Sequence, residues 1–150
     1  MTTLHPQLAQ DCITLGHFPL CRLLLMKDAN YPWFILVPER DNVTEIYQLN
    51  EQDQQQLGRE SSQLAETLMQ VFEGDKMNIG ALGNVVPQLH IHHIVRYRTD
   101  PAWPAPVWGK LPARPFEENE LSELLHHLST VEFTHFRWAT KSQTPTTNGD

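Results

Sequence analysis

Three histidines crowd one short segment, Pro87-Gln88-Leu89-His90-Ile91-His92-His93-Ile94-Val95-Arg96. Its isoleucine and valine content predicts a strand over residues 89–95. Alternate residues of a strand share a face. Gln88, His90, His92, Ile94 and Arg96 therefore point one way, and Leu89, Ile91, His93 and Val95 the other. The second face is apolar except for His93 and must pack on a core. The first face sets two imidazoles about 6–7 Å apart, one strand repeat, between a glutamine and an arginine.

That face suits phosphate chemistry. A neutral imidazole is a usable nucleophile near neutral pH. A second imidazole can carry a proton or donate to an oxygen, and arginine matches phosphoryl oxygens with a planar fork of donors. Histidine attack splits displacement at phosphorus into two steps through a covalent intermediate, with positioning and charge supplying most of the rate. The pair alone leaves two other readings open. Alternating histidines can be plain surface residues, and His-x-His on a strand also serves zinc or iron sites.

The elements that must hold this strand are readable around it. The apolar run LCRLLLM over residues 20–26 and the run WFILV over 33–37 predict two strands, and the turn-forming residues Lys27 to Pro32 make them a hairpin. Pro38 stops the second strand. Thr44 is expected to cap a short helical turn reaching Leu49. Asn50, with Asp53 three residues on, starts a longer helix. Leu57, Ser61, Leu64, Ala65, Leu68 and Phe72 form its buried stripe, and Gly74 is its expected C-cap. A short strand over 77–81 follows, then a turn at Gly83 and Asn84. Five prolines between Pro101 and Pro115 forbid a regular helix in the tryptophan-rich loop beyond Arg98. Leu121, Leu124, Leu125 and Leu128 predict a second helix over 117–131. The expected fold class is α+β: an antiparallel sheet with one long helix packed on it and a C-terminal helix. One domain is expected over residues 1–139, followed by a frayed polar tail over 140–150.

Bulk properties narrow the function. A chain of 150 residues with 40 % hydrophobic content fits one ordinary globular core. It has no apolar run long enough for a membrane span and no secretory signal at its start. Cys12 and Cys21 make neither a metal spacing nor a disulfide framework, so reduced thiols and a cytoplasmic location are expected. The net charge of −7 argues against duplex nucleic acid as a partner. Charge is uneven, however. Residues 41–75 carry eight acids against one base, whereas residues 96–114 carry Arg96, Arg98, Lys110 and Arg114 against Asp100 alone. A small anion is therefore still welcome locally.

The run Gln-Leu-His-Ile-His-His-Ile-Val-Arg resembles the signature of the histidine-triad (HIT) family, histidine–apolar–histidine–apolar–histidine–apolar–apolar, often followed closely by arginine. The resemblance extends over residues 20–98. It includes Asn78-Ile79-Gly80 and Gly83-Asn84 upstream of the signature, Asp28 after the first apolar run, and the strand end Leu36-Val37-Pro38 before the helix. The tryptophan–proline loop beyond is similar to that of bacterial HIT proteins of this size.

The resemblance implies a HIT-like fold and an enzyme that attacks the α-phosphate of a nucleotide. The substrate would be a dinucleoside polyphosphate, a nucleoside phosphoramidate or a similar conjugate. By resemblance, His90 is the nucleophile, and His92 holds a phosphate oxygen and helps protonate the leaving group. Gln88 takes the first-histidine place as a hydrogen-bond partner. Asn84 and Asn78 line the phosphate site, Asp28 holds ribose hydroxyls, and Arg96 shares the face. No metal is required for the attack, though a polyphosphate substrate can bring magnesium. A homodimer pairing through the long helix and an adjoining strand is implied as well. Trp103 and Trp108 are open between stacking on a base and plain packing.

Three residues depart from the pattern. Gln88 replaces the first triad histidine, leaving two. His93 stands where the family has an apolar residue, and alternation turns it away from the site, to a structural or dimer-face place. Val85 stands where some members have a hydroxyl that touches phosphate. These departures keep a second reading open, a nucleotide-binding module with little turnover. A His-x-His metalloprotein is a third.

Overall fold

The computed structural model describes residues 2–139. The chain runs α1 (Pro6–Asp11), β1 (Cys12–His17), β2 (Cys21–Met26), β3 (Trp33–Pro38), a 3-10 turn (Ile46–Gln48), α2 (Glu51–Phe72), β4 (Lys76–Gly80), β5 (Ile91–Arg96), α3 (Glu118–Ser129) and β6 (Arg137–Trp138). The strands form one sheet in the order β4-β5-β3-β2-β1-β6. Every pairing in it is antiparallel. The expected α+β class is found.

β2 and β3 read as unbroken apolar runs because both faces of the sheet are covered. Leu23, Leu25, Phe34, Leu36, Ile91 and Val95 pack with Leu57, Leu64 and Leu68 of α2 and Leu128 of α3. On the other face, Leu24, Trp33, Ile35, Val37 and Ile94 pack with Leu8 of α1 and with Ala102 and Val107 of the proline-rich loop. The second cover was not part of the expected plan of one helix on one sheet.

The long helix begins as the sequence predicts, with the Asn50 side chain accepting from the Asp53 N–H at 2.8 Å. Its buried stripe holds two acidic residues that hydropathy hides, Asp53 at the first turn and Glu60 deeper in. Glu60 is buried, and its carboxylate accepts from the Leu20 and Cys21 N–H groups at 3.0 and 2.9 Å. It fastens α2 to the start of β2, and buried charge is tolerated there because both oxygens are satisfied.

Several expected boundaries are corrected. The left-handed residue after α2 is Glu73 (φ 50°), not Gly74. Gly74 is small for another reason: a Cβ there would stand 2.4 Å from Val95 Cγ1. The cap before the 3-10 turn is Glu45, not Thr44, and the Gln48 side-chain oxygen accepts from both backbone N–H groups. β5 begins at Ile91, two residues later than expected, because the Leu89 N–H goes to the Val43 carbonyl outside the sheet. The short strand and the second helix shift by a residue or two at their ends. α1, β1 and β6 were not anticipated. The expected tail over 140–150 lies outside the described residues.

Candidate active site

β5 is flanked by β3 and β4, and His92 lies opposite Ile35 on one side and Gly80 on the other. Opposed residues share a face, so the side chain of Gly80 would project beside His92. Its absence makes room for Trp108, whose Cη2 is 3.1 Å from where that Cβ would be. The Trp108 ring stands edge-on to His92, with 5.5 Å between centroids, and the Trp33 ring closes the far side at 5.6 Å. His90 and His92 are 4.9 Å apart, ring to ring, and each is only 6 % exposed.

Their partners fix their tautomers. Nδ1 of His90 lies 2.7 Å from the carbonyl oxygen of Gln88. A carbonyl only accepts, so Nδ1 carries the proton and the neutral ring presents a lone pair at Nε2. His92 is the reverse. The Trp33 indole N–H, which only donates, reaches its Nδ1 at 2.9 Å. The neutral ring therefore carries its proton at Nε2. Burial, then the charges of His90 and His93, pushes the His92 pKa from 6.5 down to about 3. The pair thus offers one lone pair and one N–H.

His93 points into the helix side of the sheet, as alternation predicts, and is fully buried. Its Nδ1 donates to the Ile91 carbonyl at 3.0 Å, and the Ser61 hydroxyl donates to its Nε2 at 2.7 Å. Burial lowers its pKa from 6.5 to about 4, against the raising effect of the Ile91 carbonyl.

The other candidates are placed less directly. The Gln88 side chain turns to the N-terminal segment, accepting from the His5 N–H at 2.8 Å and donating to the Thr3 carbonyl at 3.2 Å. Its backbone, not its amide, meets His90. Arg96 is 1 % exposed and pairs with Asp100 through Nε at 2.8 Å and Nη2 at 3.0 Å. Its Nη1 donates to the Asn78 side-chain oxygen at 2.9 Å, and its guanidinium lies between the Tyr31 and Trp103 rings, 5.6 Å from each. Because arginine only donates, this bond fixes the Asn78 amide oxygen, and its NH₂ has no hydrogen-bond partner among the described residues. Asn78 lies opposite Ile94, on the His92 face. Asp28 is buried and accepts through Oδ1 from the Asn30 and Arg114 N–H groups at 3.0 and 3.2 Å. Asn84 and Val85 are exposed beyond the turn that Gly83 makes at φ 74°. Among the described residues no hydrogen bond ties Asp28 or Asn84 to the imidazoles.

Two functional neighbours escape a reading of the histidine segment alone. Trp33 looks like one more apolar strand residue, yet a buried indole N–H requires a partner, and that requirement was the available signal. Asp100 sits four residues beyond Arg96. Its oxygens also accept from the Tyr97, Ala102 and Trp103 N–H groups at 3.1, 3.1 and 2.8 Å. Burial pushes its carboxyl up, but the bonds from Arg96, Tyr97 and Trp103 and the Arg96 charge outweigh that and hold it below the ordinary carboxylate value. The Arg96–Asp100 pair therefore anchors the loop that carries Trp103 and Trp108. A groove of about 500 Å³ lined by residues 2–6, 40–44 and Gln88 runs along the N-terminal segment and does not include the imidazoles.

Fold and site together define an α+β domain with a paired-histidine strand, one ring with its Nδ1 on a backbone carbonyl and the other with its Nδ1 on an indole N–H. The sequence model of the HIT domain family matches residues 7–99, more than half of the 150, and the chain belongs to the histidine-triad family. Solved structures agree. A histidine triad protein from Marinobacter aquaeolei VT8 is 53 % identical at a TM-score of 0.82, over 85 % of this chain and 93 % of that one. One from Bradyrhizobium japonicum is 44 % identical at 0.83, over 85 % and 96 %. One from Sinorhizobium meliloti 1021 is 41 % identical at 0.82, over 86 % and 96 %. No curated protein matches the chain. Proteins of the HIT family are in general nucleotide hydrolases or transferases and bind nucleotide substrates. No helix among the described residues is long and apolar enough to cross a membrane.

Proposed function

We propose that this protein is a nucleotidyl hydrolase or transferase in which Nε2 of His90 attacks the α-phosphorus of a nucleotide. One observation carries the reading: the 2.7 Å bond from His90 Nδ1 to the Gln88 carbonyl, which aims a lone pair, not an N–H, out of the ring. The Nε2–H of His92 then meets a phosphoryl oxygen, where charge builds in the transition state. The free NH₂ of Asn78 and the amide of Asn84 add donors, and Asp28 takes the ribose hydroxyls. Arg96 acts at one remove, by orienting Asn78 and pinning the Trp103–Trp108 loop.

The opposite tautomers favour phosphate over a metal ion, since a ring protonated at Nε2 has no lone pair there for a ligand bond. Attack needs no metal in this scheme, and magnesium enters only with a polyphosphate substrate. The two free buried thiols fit a cytoplasmic protein. A homodimer is part of the reading. β4 is an edge of the sheet, and Ile79 on it is 50 % exposed with Leu82 43 % exposed just beyond.

The test is AMP release by metal-stripped protein from diadenosine polyphosphates and from adenosine 5′-phosphoramidate, with His90→Ala alongside. Release that falls at least about a thousandfold in the variant supports the proposal. Release that survives the substitution sinks it. Nucleotide binding without release makes the protein a binding module instead.

A further inference from the structure

The bond between Trp33 and His92 bears on how a leaving group could depart. His92 faces the indole N–H at Nδ1, and Trp33 and His92 are 7 % and 6 % exposed. A second proton on the ring would set two N–H groups head to head at a nearly buried contact. The surroundings offer a cation no help. Ile35 and Gly80 flank the ring along the sheet, and the Trp33 and Trp108 rings pack edge-on. The titratable groups facing it are His90 on the same face and His93 from behind, and neither offers a negative charge to hold a cation. Among the described residues no carboxylate is hydrogen-bonded to the ring. His90 supplies no proton either, because its N–H is held by the Gln88 carbonyl and its other nitrogen is the nucleophile.

We infer that His92 is a fixed neutral donor and not an acid, that Trp33 is the positioning residue that makes it so, and that the site is built for leaving groups that depart unprotonated, the phosphate end of a phosphoanhydride, in preference to amines. This rests on the reading of His90 as nucleophile. In the first step the Nε2 lone pair forms a P–N bond, the bond from phosphorus to the bridging oxygen breaks, and its electron pair leaves on the departing phosphate. His92 keeps its proton and shares it with a non-bridging oxygen as a hydrogen bond. Water then attacks phosphorus, the P–N electron pair returns to His90, and the water proton passes to solvent. An amine leaving group would need a proton at the first step, and an enzymic acid is ordinarily worth about 10²–10⁴ in rate there.

The experiment compares wild-type protein on diadenosine triphosphate, adenosine 5′-phosphoramidate and a series of adenosine 5′-phosphate aryl esters graded by the acidity of the phenol. The first-step rate is expected to fall steeply as the phenol becomes less acidic, with the phosphoramidate at least about 100-fold slower than the anhydride. His90-dependent release that is indifferent to the leaving group overturns the inference and leaves the nucleophile intact. No His90-dependent release from any substrate overturns both. A second readout is independent of turnover: the ¹⁵N resonance of His92 Nδ1. It should keep the shift of an unprotonated nitrogen across the range where free imidazole titrates. Trp33→Phe keeps an aromatic filler but removes the donor, and the resonance should then move with pH. Trp33→His, which can accept as well as donate, should narrow the gap between phosphoramidate and anhydride by tenfold or more. A wild-type His92 that titrates normally overturns the inference.

Discussion

The group that orients His90 is the backbone carbonyl of Gln88, 2.7 Å from its Nδ1, while the Gln88 side chain faces away to Thr3 and His5. The residue in the first-histidine place therefore does two separable things. Gln88→Ala keeps the carbonyl and so keeps the His90 tautomer. It is expected to leave kcat within about tenfold of wild type and to lower stability by about 1–2 kcal/mol, through two lost hydrogen bonds to the N-terminal segment. Parallel measurement of kcat and urea unfolding checks this. A collapse of kcat at unchanged stability would show that the amide itself works in the site.

Asp100 governs the loop that roofs His92. Asp100→Ala leaves the Arg96 charge buried without its carboxylate, a change that typically costs about 3–5 kcal/mol, and it releases three turn N–H groups as well. The folded carboxyl is held below the ordinary value of 3.8. Its contribution to stability is therefore present above that value and is lost as pH falls through the folded pKa. Wild type should weaken further in strong acid, while the variant, already weakened, should show a shallower decline there. Unfolding midpoints across the acid range decide it, and equal declines in both proteins would remove Asp100 from the account.

What could be read from the sequence was what repeats or caps locally. Alternation alone separated His90 and His92 from His93, and Asn50 marked the start of α2. What could not be read depended on distant chain. Gly16 lies in β1 where β6 passes so close that a Cβ would meet the Arg137 carbonyl oxygen at 2.4 Å, a contact no local pattern reveals. Glu60 in an apolar stripe, and Arg96 turned from a ligand toward Asp100 and Asn78, were likewise settled by partners outside the local pattern. Cys12 and Cys21 have buried thiols, with burial and then Asp11 pushing Cys12 up to about 12. Their burial agrees with the reading of both as small buried or half-buried thiols.

The two buried histidines should make the protein acid-sensitive well above the carboxylate range. Both have folded pKa values depressed from 6.5, His92 to about 3 and His93 to about 4. The unfolded chain thus binds protons that the folded chain refuses, and stability falls as pH drops below 6.5 until the folded values are reached. At about pH 5 each histidine is expected to lower stability by about 2 kcal/mol. His93→Gln should remove about one proton from the uptake on unfolding. Stability plotted against pH gives that number directly, and a curve flat between about pH 6.5 and pH 5 would contradict both assignments.

The edge strand β4 is the place to test self-association. It pairs with β5 on one side and with no strand on the other among the described residues. Ile79 is exposed on it, and Leu82 and Val85, the latter 85 % exposed, follow in the turn toward the histidines. An apolar, unpaired edge of this kind favours a second strand, and charge is the usual way to block one. Ile79→Lys is therefore expected to weaken the dimer at least tenfold, with little effect on the fold because Ile79 is already half-exposed. Sedimentation velocity over a concentration series reads the change. A wild-type protein that stays monomeric at high concentration removes the dimer from the proposal, and a variant that dimerises as before moves the interface to the other candidate surface, the exposed face of α2.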